Sequence, residues 1–88
     1  MRSRPTIDAE ALALSALAAT LSDERRARRF LDLSGIETDE LRRRAADPAI
    51  LAALIRFLES HEPDLIDVAQ AIGERPAALI AARAELER

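Results

Sequence analysis

Apolar residues recur along this chain at spacings of three and four, and glycines, prolines and capping side chains cut the pattern into short runs. The first run, capped by Thr6 or Asp8 and ending near Thr20 or Leu21, is apolar almost all round. Such a helix is either deeply buried or an oligomer interface. A second helix is expected after Ser22 as N-cap, with Asp23 and Glu24 in its first turn, where acids suit the helix dipole. Its Ala27, Phe30, Leu31 and Ser34 share one face, and Arg25, Arg28, Arg29 and Asp32 share another. Gly35 ends it as a left-handed cap, with Ile36 able to fold back onto the helix.

Thr38 is the expected cap of a short third helix, in which Asp39 and Arg43, like Glu40 and Arg44, stand four apart. Asp47–Pro48 then opens a fourth helix around 49–60, Asp as N-cap and Pro at the first helical position. Between Ile50 and Leu58 its only polar residue is Arg56, which predicts a central, enclosed helix. His61–Glu62–Pro63–Asp64 reads as a turn, Pro63 opening a fifth helix through Ile72 with Leu65, Val68, Ala69 and Ile72 as its buried stripe. Gly73 stops it, and Pro76 opens a sixth that keeps Leu79, Ala82 and Leu86 in line. Short connections make consecutive helices neighbours. The expected fold is all-α: one domain over 1–88, a compact bundle or orthogonal array of five or six short helices, with residues 1–5 disordered.

Composition supports that class. Alanine and leucine dominate the apolar 49%, there is a single valine, and Phe30 and Phe57 are the only aromatics. Eighty-eight residues give a small core of marginal stability, so extra burial between protomers through the first helix is an expected route to a homodimer. Without cysteine there are no disulfides, thiolate nucleophiles or zinc–sulfur sites. Met1–Arg2–Ser3–Arg4 before an apolar run resembles a secretory leader, but Asp8 and Glu10 stand where a leader carries no charge, and the run is too short to span a membrane. The expectation is a cytoplasmic protein that does not engage membranes.

The residues Arg29–Phe30–Leu31, Gly35, Leu41–Arg42, Asp47–Pro48, Leu51, Leu54, Phe57–Leu58, Glu62 and Leu65 resemble, in order, a family of short alphaproteobacterial proteins, the domain of unknown function 3572 family. The likeness covers nearly the whole chain. Its most specific marks are the Phe-Leu…Gly corner and the Asp-Pro start of an apolar helix ending in Phe-Leu. Ile50 and Val68 or Ala69 depart from it where larger aromatics are expected. The resemblance implies a small cytoplasmic helical protein and transfers no activity and no functional residue.

The two glycine corners have helix-turn-helix spacing. In each, a leucine (Leu41, Leu79) follows the glycine by six and a small or apolar residue (Leu31, Ala69) precedes it by four. The second corner is the better match in shape and the worse in charge. Its would-be recognition helix offers Arg83 and Arg88, and residues 62–88 hold three arginines against six acids. Phosphate neutralisation supplies most protein–DNA affinity, so this corner reads as structural. The first corner is richer, with Arg25, Arg26, Arg28 and Arg29 before it and Arg42, Arg43 and Arg44 after it. Converging guanidiniums would make a site for phosphate or an acidic partner, with Arg25, Arg28, Arg29, Arg42 and Arg43 as candidates. Asp39 and Glu40 oppose DNA there, and a solvated charged face is the plainer reading.

His61, the single histidine, follows a helix end, where an imidazole suits the last carbonyls; with Glu62, Asp64 and Asp67 near it, it is a weak metal signal. Ser15, Ser22, Ser34 and Ser60 have no base near them in sequence, and no phosphate loop or carboxylate pair is discernible. The expectation is therefore no enzyme, no cofactor and no metal, but a protein-interaction or regulatory module. The alternative is a divergent helix-turn-helix protein that binds DNA or serves transcription.

Overall fold

A computed structural model describes residues 5–88 and forms six α-helices: α1 (Pro5–Leu21), α2 (Glu24–Ser34), α3 (Thr38–Arg43), α4 (Pro48–Glu59), α5 (Glu62–Ala71) and α6 (Pro76–Leu86). No strand occurs among the described residues. The stretch expected to be disordered lies, up to residue 4, outside the described residues.

The predicted centre is correct. Ile50, Leu51, Ala52, Leu54, Ile55, Phe57 and Leu58 of α4 are all buried, and α1, α2, α5 and α6 pack around them. Ile50, Val68 and Ala69, the departures from the expected aromatics, all lie in this core. The apolar body of α1 is used internally as well: Ala9, Ala13, Ala16 and Leu17 are buried, and α1 packs most extensively on α6. Small side chains on α1 and Ala82 on α6 let the two backbones approach closely. Thr20 is completely buried, and its hydroxyl donates to the Ala16 carbonyl at 2.8 Å, so that donor is not stranded.

Three predicted caps differ. α1 begins at Pro5, before both Thr6 and Asp8, because proline is pre-shaped for a first helical position. Asp23, not Ser22, caps α2: its carboxylate accepts the Arg26 backbone N–H at 3.0 Å, while Ser22 donates back to the Ala19 carbonyl. That backbone N–H, against a smaller cost of burial, holds the Asp23 carboxyl below its ordinary range. Glu37, with no side-chain bond, precedes α3, so Thr38 is the first helical residue rather than the cap. Asp47 does cap α4, accepting from the Ala49 N–H at 2.9 Å with Pro48 behind it.

Both glycine corners form as expected, with φ of +74° at Gly35 and at Gly73. At the first, the Gly35 N–H donates to the Leu31 carbonyl; at the second, the Glu74 N–H reaches the Ala69 carbonyl at 2.8 Å, a wider Schellman closure. A Cβ at either position would meet open space, so backbone strain alone sets the cost of a side chain. Gly35→Ala and Gly73→Ala are each expected to lose about 1–2 kcal/mol in urea unfolding, and asparagine less than alanine. Equal stability of the alanine variants and the parent would refute this.

An alternating ladder fastens the end of α6 to α4. Arg83 grips Glu59 (2.6 Å) and Glu87 (3.0 Å), and Arg56 grips Glu87 (2.6 Å). Hydrogen bonds from Arg56 and then Arg83 keep the Glu87 carboxyl below its usual value.

Candidate functional site

The arginines of α2 divide by helical angle. Arg26 and Arg29 lean toward α5, where Asp64 is buried in the third position of the helix. Arg26 donates through Nε to Asp64 Oδ1 at 2.9 Å and through Nη2 to Asp67 at 3.3 Å. Arg29 donates to the other Asp64 oxygen and lies over the Phe57 ring, 5.4 Å from its centroid. His61 Nδ1 sits 3.0 Å from Asp64 Oδ2. The imidazole therefore goes to this carboxylate, not to the last carbonyls of α4. Burial alone would push the Asp64 carboxyl up; hydrogen bonds from Arg26, His61 and Arg29 outweigh it and hold the group below its ordinary value. Asp64 is thus a latch between α2 and α5.

Arg26 stands in the first arginine group of the sequence and Asp64 and Asp67 beside His61, but their pairing across α2 and α5 is not expected from sequence. The partners lie 35 to 41 residues apart, and no local spacing signals a pairing at that distance. One signal was available: an aspartate in the first turn of α5, aligned with the buried Leu65 and Val68 in place of a solvated position.

The remaining candidate arginines are freer. Arg28 reaches Glu24 only at 4.0 Å with both side chains largely in water, a pairing worth little. Arg25 has no carboxylate within ion-pair distance among the described residues, and neither has Arg43. On α3, Asp39 pairs with Arg42 at 3.8 Å, one residue earlier than the expected partner Arg43. The expected Glu40–Arg44 pair forms at 2.7 Å, and Arg44 also bridges to Asp47 at 2.6 Å, tying α3 to the start of α4. The paired arginines of each group thus hold different acids, and among the described residues no carboxylate is shared between the two groups.

Beside α2 lies an open apolar groove of about 330 Å³, lined by Phe30, Leu33, Ala53, Arg56, Phe57 and Ser60. Leu33 forms its lip and is 73% exposed, by far the most exposed large apolar side chain among the described residues. It lies one turn beyond Arg29 on the same side of α2. Helical periodicity puts Leu31 on the packing face and does not mark Leu33 as exposed. Around the glycine corner, a second depression is lined by Asp32, Glu37 and Asp39.

The corners differ from a DNA reader in two ways. α6 is packed on α1 and α4 through Leu79 and Ala82, and its arginines are engaged: Arg83 in the ladder, Arg88 with Glu85 at 3.1 Å. α3 does stand at the edge, anchored by the buried Leu41, but acids surround its N-terminus. Three of the four serines that have no base near them in sequence spend their hydroxyls on the backbone: Ser22 on Ala19, Ser34 on Leu31 and Ser60 on Phe57. No group of three or more histidines and acids is placed to hold a metal ion among the described residues, and no described helix is long and apolar enough to cross a membrane.

A family model described as protein of unknown function (DUF3572) matches residues 6–88. The chain belongs to that family. No curated protein and no solved structure matches it. The DUF3572 match takes in all of α2 through α6 and all but the first residue of α1, so the Asp64 latch, the groove and both glycine corners lie inside the family domain.

Proposed function

We propose that this member of the DUF3572 family is a non-enzymatic protein-interaction module of the cytoplasm, and that its contact surface is the outer side of α2. The single observation that carries the reading is Leu33, bare to solvent at the lip of an apolar groove. Leaving a leucine in water forgoes about 1.5–3 kcal/mol of burial, and exposed apolar surface bordered by polar residues is the usual mark of a binding face. Arg25 and Arg28 on the same helix are not committed to buried partners, which leaves them available to an acidic surface.

The test compares proteins captured from native extract by the immobilised full chain and by its Leu33→Glu variant, with helicity checked by circular dichroism. Loss of the captured set with the fold intact supports the reading; undiminished capture by the variant overturns it.

The second reading, a helix-turn-helix DNA binder, is supported by the left-handed corners and by the peripheral, arginine-bearing α3. It requires duplex binding that weakens steeply with salt and further with Arg42→Ala or Arg43→Ala. The acids lining the first corner weigh against it. No retention of duplex DNA in low salt is the expected outcome.

A further inference from the structure

The geometry points to a second copy of this chain as the occupant of the groove beside α2, the two α2 helices packing antiparallel across a two-fold axis. This rests on the interaction face argued above and names its partner. An isologous interface needs both halves of its complementarity on one surface. This face has both. Leu33 projects from the end of α2, and the socket lined by Phe30, Ala53 and Phe57 lies directly beside it. Across a two-fold axis, each Leu33 meets the other copy's socket.

Charge agrees with shape. The outer side of α2 is polarised along its length: Arg25 and Arg28 stand in its first half beside Glu24, and Asp32 follows near its end, with Glu37 and Asp39 just past the glycine corner. A parallel arrangement would set arginines against arginines. The antiparallel one sets Asp32 of each copy against Arg25 and Arg28 of the other, two cations that lack strong partners among the described residues of their own chain. Glu24, beside Arg28 at the start of α2, and the half-exposed Asp23 before it are like-charge costs on approach of the partner's acids.

The expected contact is small. An eleven-residue helix is about 16 Å long, which places the interface at the low end of the usual range. The dimer is accordingly reversible and micromolar, not obligate. The α1 route expected from sequence has less surface to offer, since the apolar body of α1 is largely spent on α6 and α4.

Sedimentation velocity of the full chain across a micromolar concentration series tests the proposal. The parent is expected to move from monomer to dimer. Leu33→Glu is expected to weaken dimerisation by roughly a hundredfold or more, because a two-fold interface loses the contact twice. Asp32→Arg is expected to weaken it as well, and the double variant Asp32→Arg/Arg28→Asp to recover it, a rescue that mere surface disruption does not produce. A parent that stays monomeric throughout, a dimer indifferent to Leu33→Glu, or no rescue by the charge exchange each overturns the proposal. A monomeric parent whose captured partners still depend on Leu33 sinks the dimer and leaves the interaction module standing; capture indifferent to Leu33 sinks the module itself.

Discussion

Replacing Asp64 with alanine is expected to destabilise the domain by about 3–5 kcal/mol, a large share of the few kcal/mol to about 13 kcal/mol that a chain of this length commands. The carboxylate is buried, with a side chain only 7% exposed, and it answers two guanidiniums and an imidazole from one position. Its removal strands Arg26, itself 14% exposed, with the rim carboxylates of Asp23 and Asp67 as its remaining partners. Asp64→Asn keeps the volume and still fails, because an amide presents one acceptor oxygen where the cluster needs two anionic ones.

The pH dependence has a definite sign. Asp64 binds its proton less readily folded than unfolded, since its carboxyl lies below the ordinary 3.8 in the folded chain. Its contribution is complete well above that value, unaffected near neutrality, and lost as pH falls through the unfolded value toward the lower folded one. Urea unfolding at neutral pH and at steps down through the acid range checks both parts. The parent is expected to lose stability on acidification more steeply than Asp64→Asn. Asp23, Asp47 and Glu87, also held below their ordinary values, keep the variant's slope from vanishing. A variant with the parent's urea midpoint and the parent's acid slope would show that the latch contributes nothing.

Phe30→Ala is expected to cost a similar 3–5 kcal/mol. Phe30 is 1% exposed and meets Phe57 edge to face, centroids 5.4 Å apart and planes at 62°. That pairing adds about 0.5–1.5 kcal/mol to the burial itself. It is also the only buried anchor of α2, so the loss falls on one helix. Hydrogen exchange is expected to show α2 amides losing protection first, with α1, α4 and α6 holding longer. Phe30→Leu, which refills most of the space, is expected to recover over half of the loss. Uniform loss of protection along the whole chain would contradict this assignment.

The two predictions concern one helix held in two ways. Phe30 fixes α2 to α4 from below, and Asp64 draws it sideways to α5 through Arg26 and Arg29. Arg29 also lies over Phe57, so the two anchors touch. The double variant is therefore expected to lose less than the sum of the single losses, since either change alone frees the helix that both restrain.

Much of the architecture is legible in one dimension because it is local. Gly35 and Gly73 end helices through the φ their own backbones adopt, and Asp47–Pro48 starts one through a carboxylate two residues from the amide it caps. The enclosure of α4 follows from an apolar run with Arg56 as its sole interruption. Even the misplaced caps have local reasons: Asp23 and Ser22 are adjacent acceptors competing for the same start, and the longer reach to the Arg26 N–H prevails.

The candidate site was less legible. Arg25, Arg28, Arg29, Arg42 and Arg43 read as one class of exposed cation, yet Arg29 is bound to a buried acid and an aromatic ring while Arg25 is bound to neither. Composition and periodicity thus specify an array of five or six short helices, where its glycine corners fall and which helix is enclosed, because caps, left-handed turns and amphipathic faces depend on residues within a few positions of one another. Which arginines are consumed inside the molecule, which leucine is left in water, and which groove opens beside it depend on helices more than 20 residues apart meeting at particular angles. Such contacts are set by the packing of the whole core, and no short window of the chain contains both sides of them.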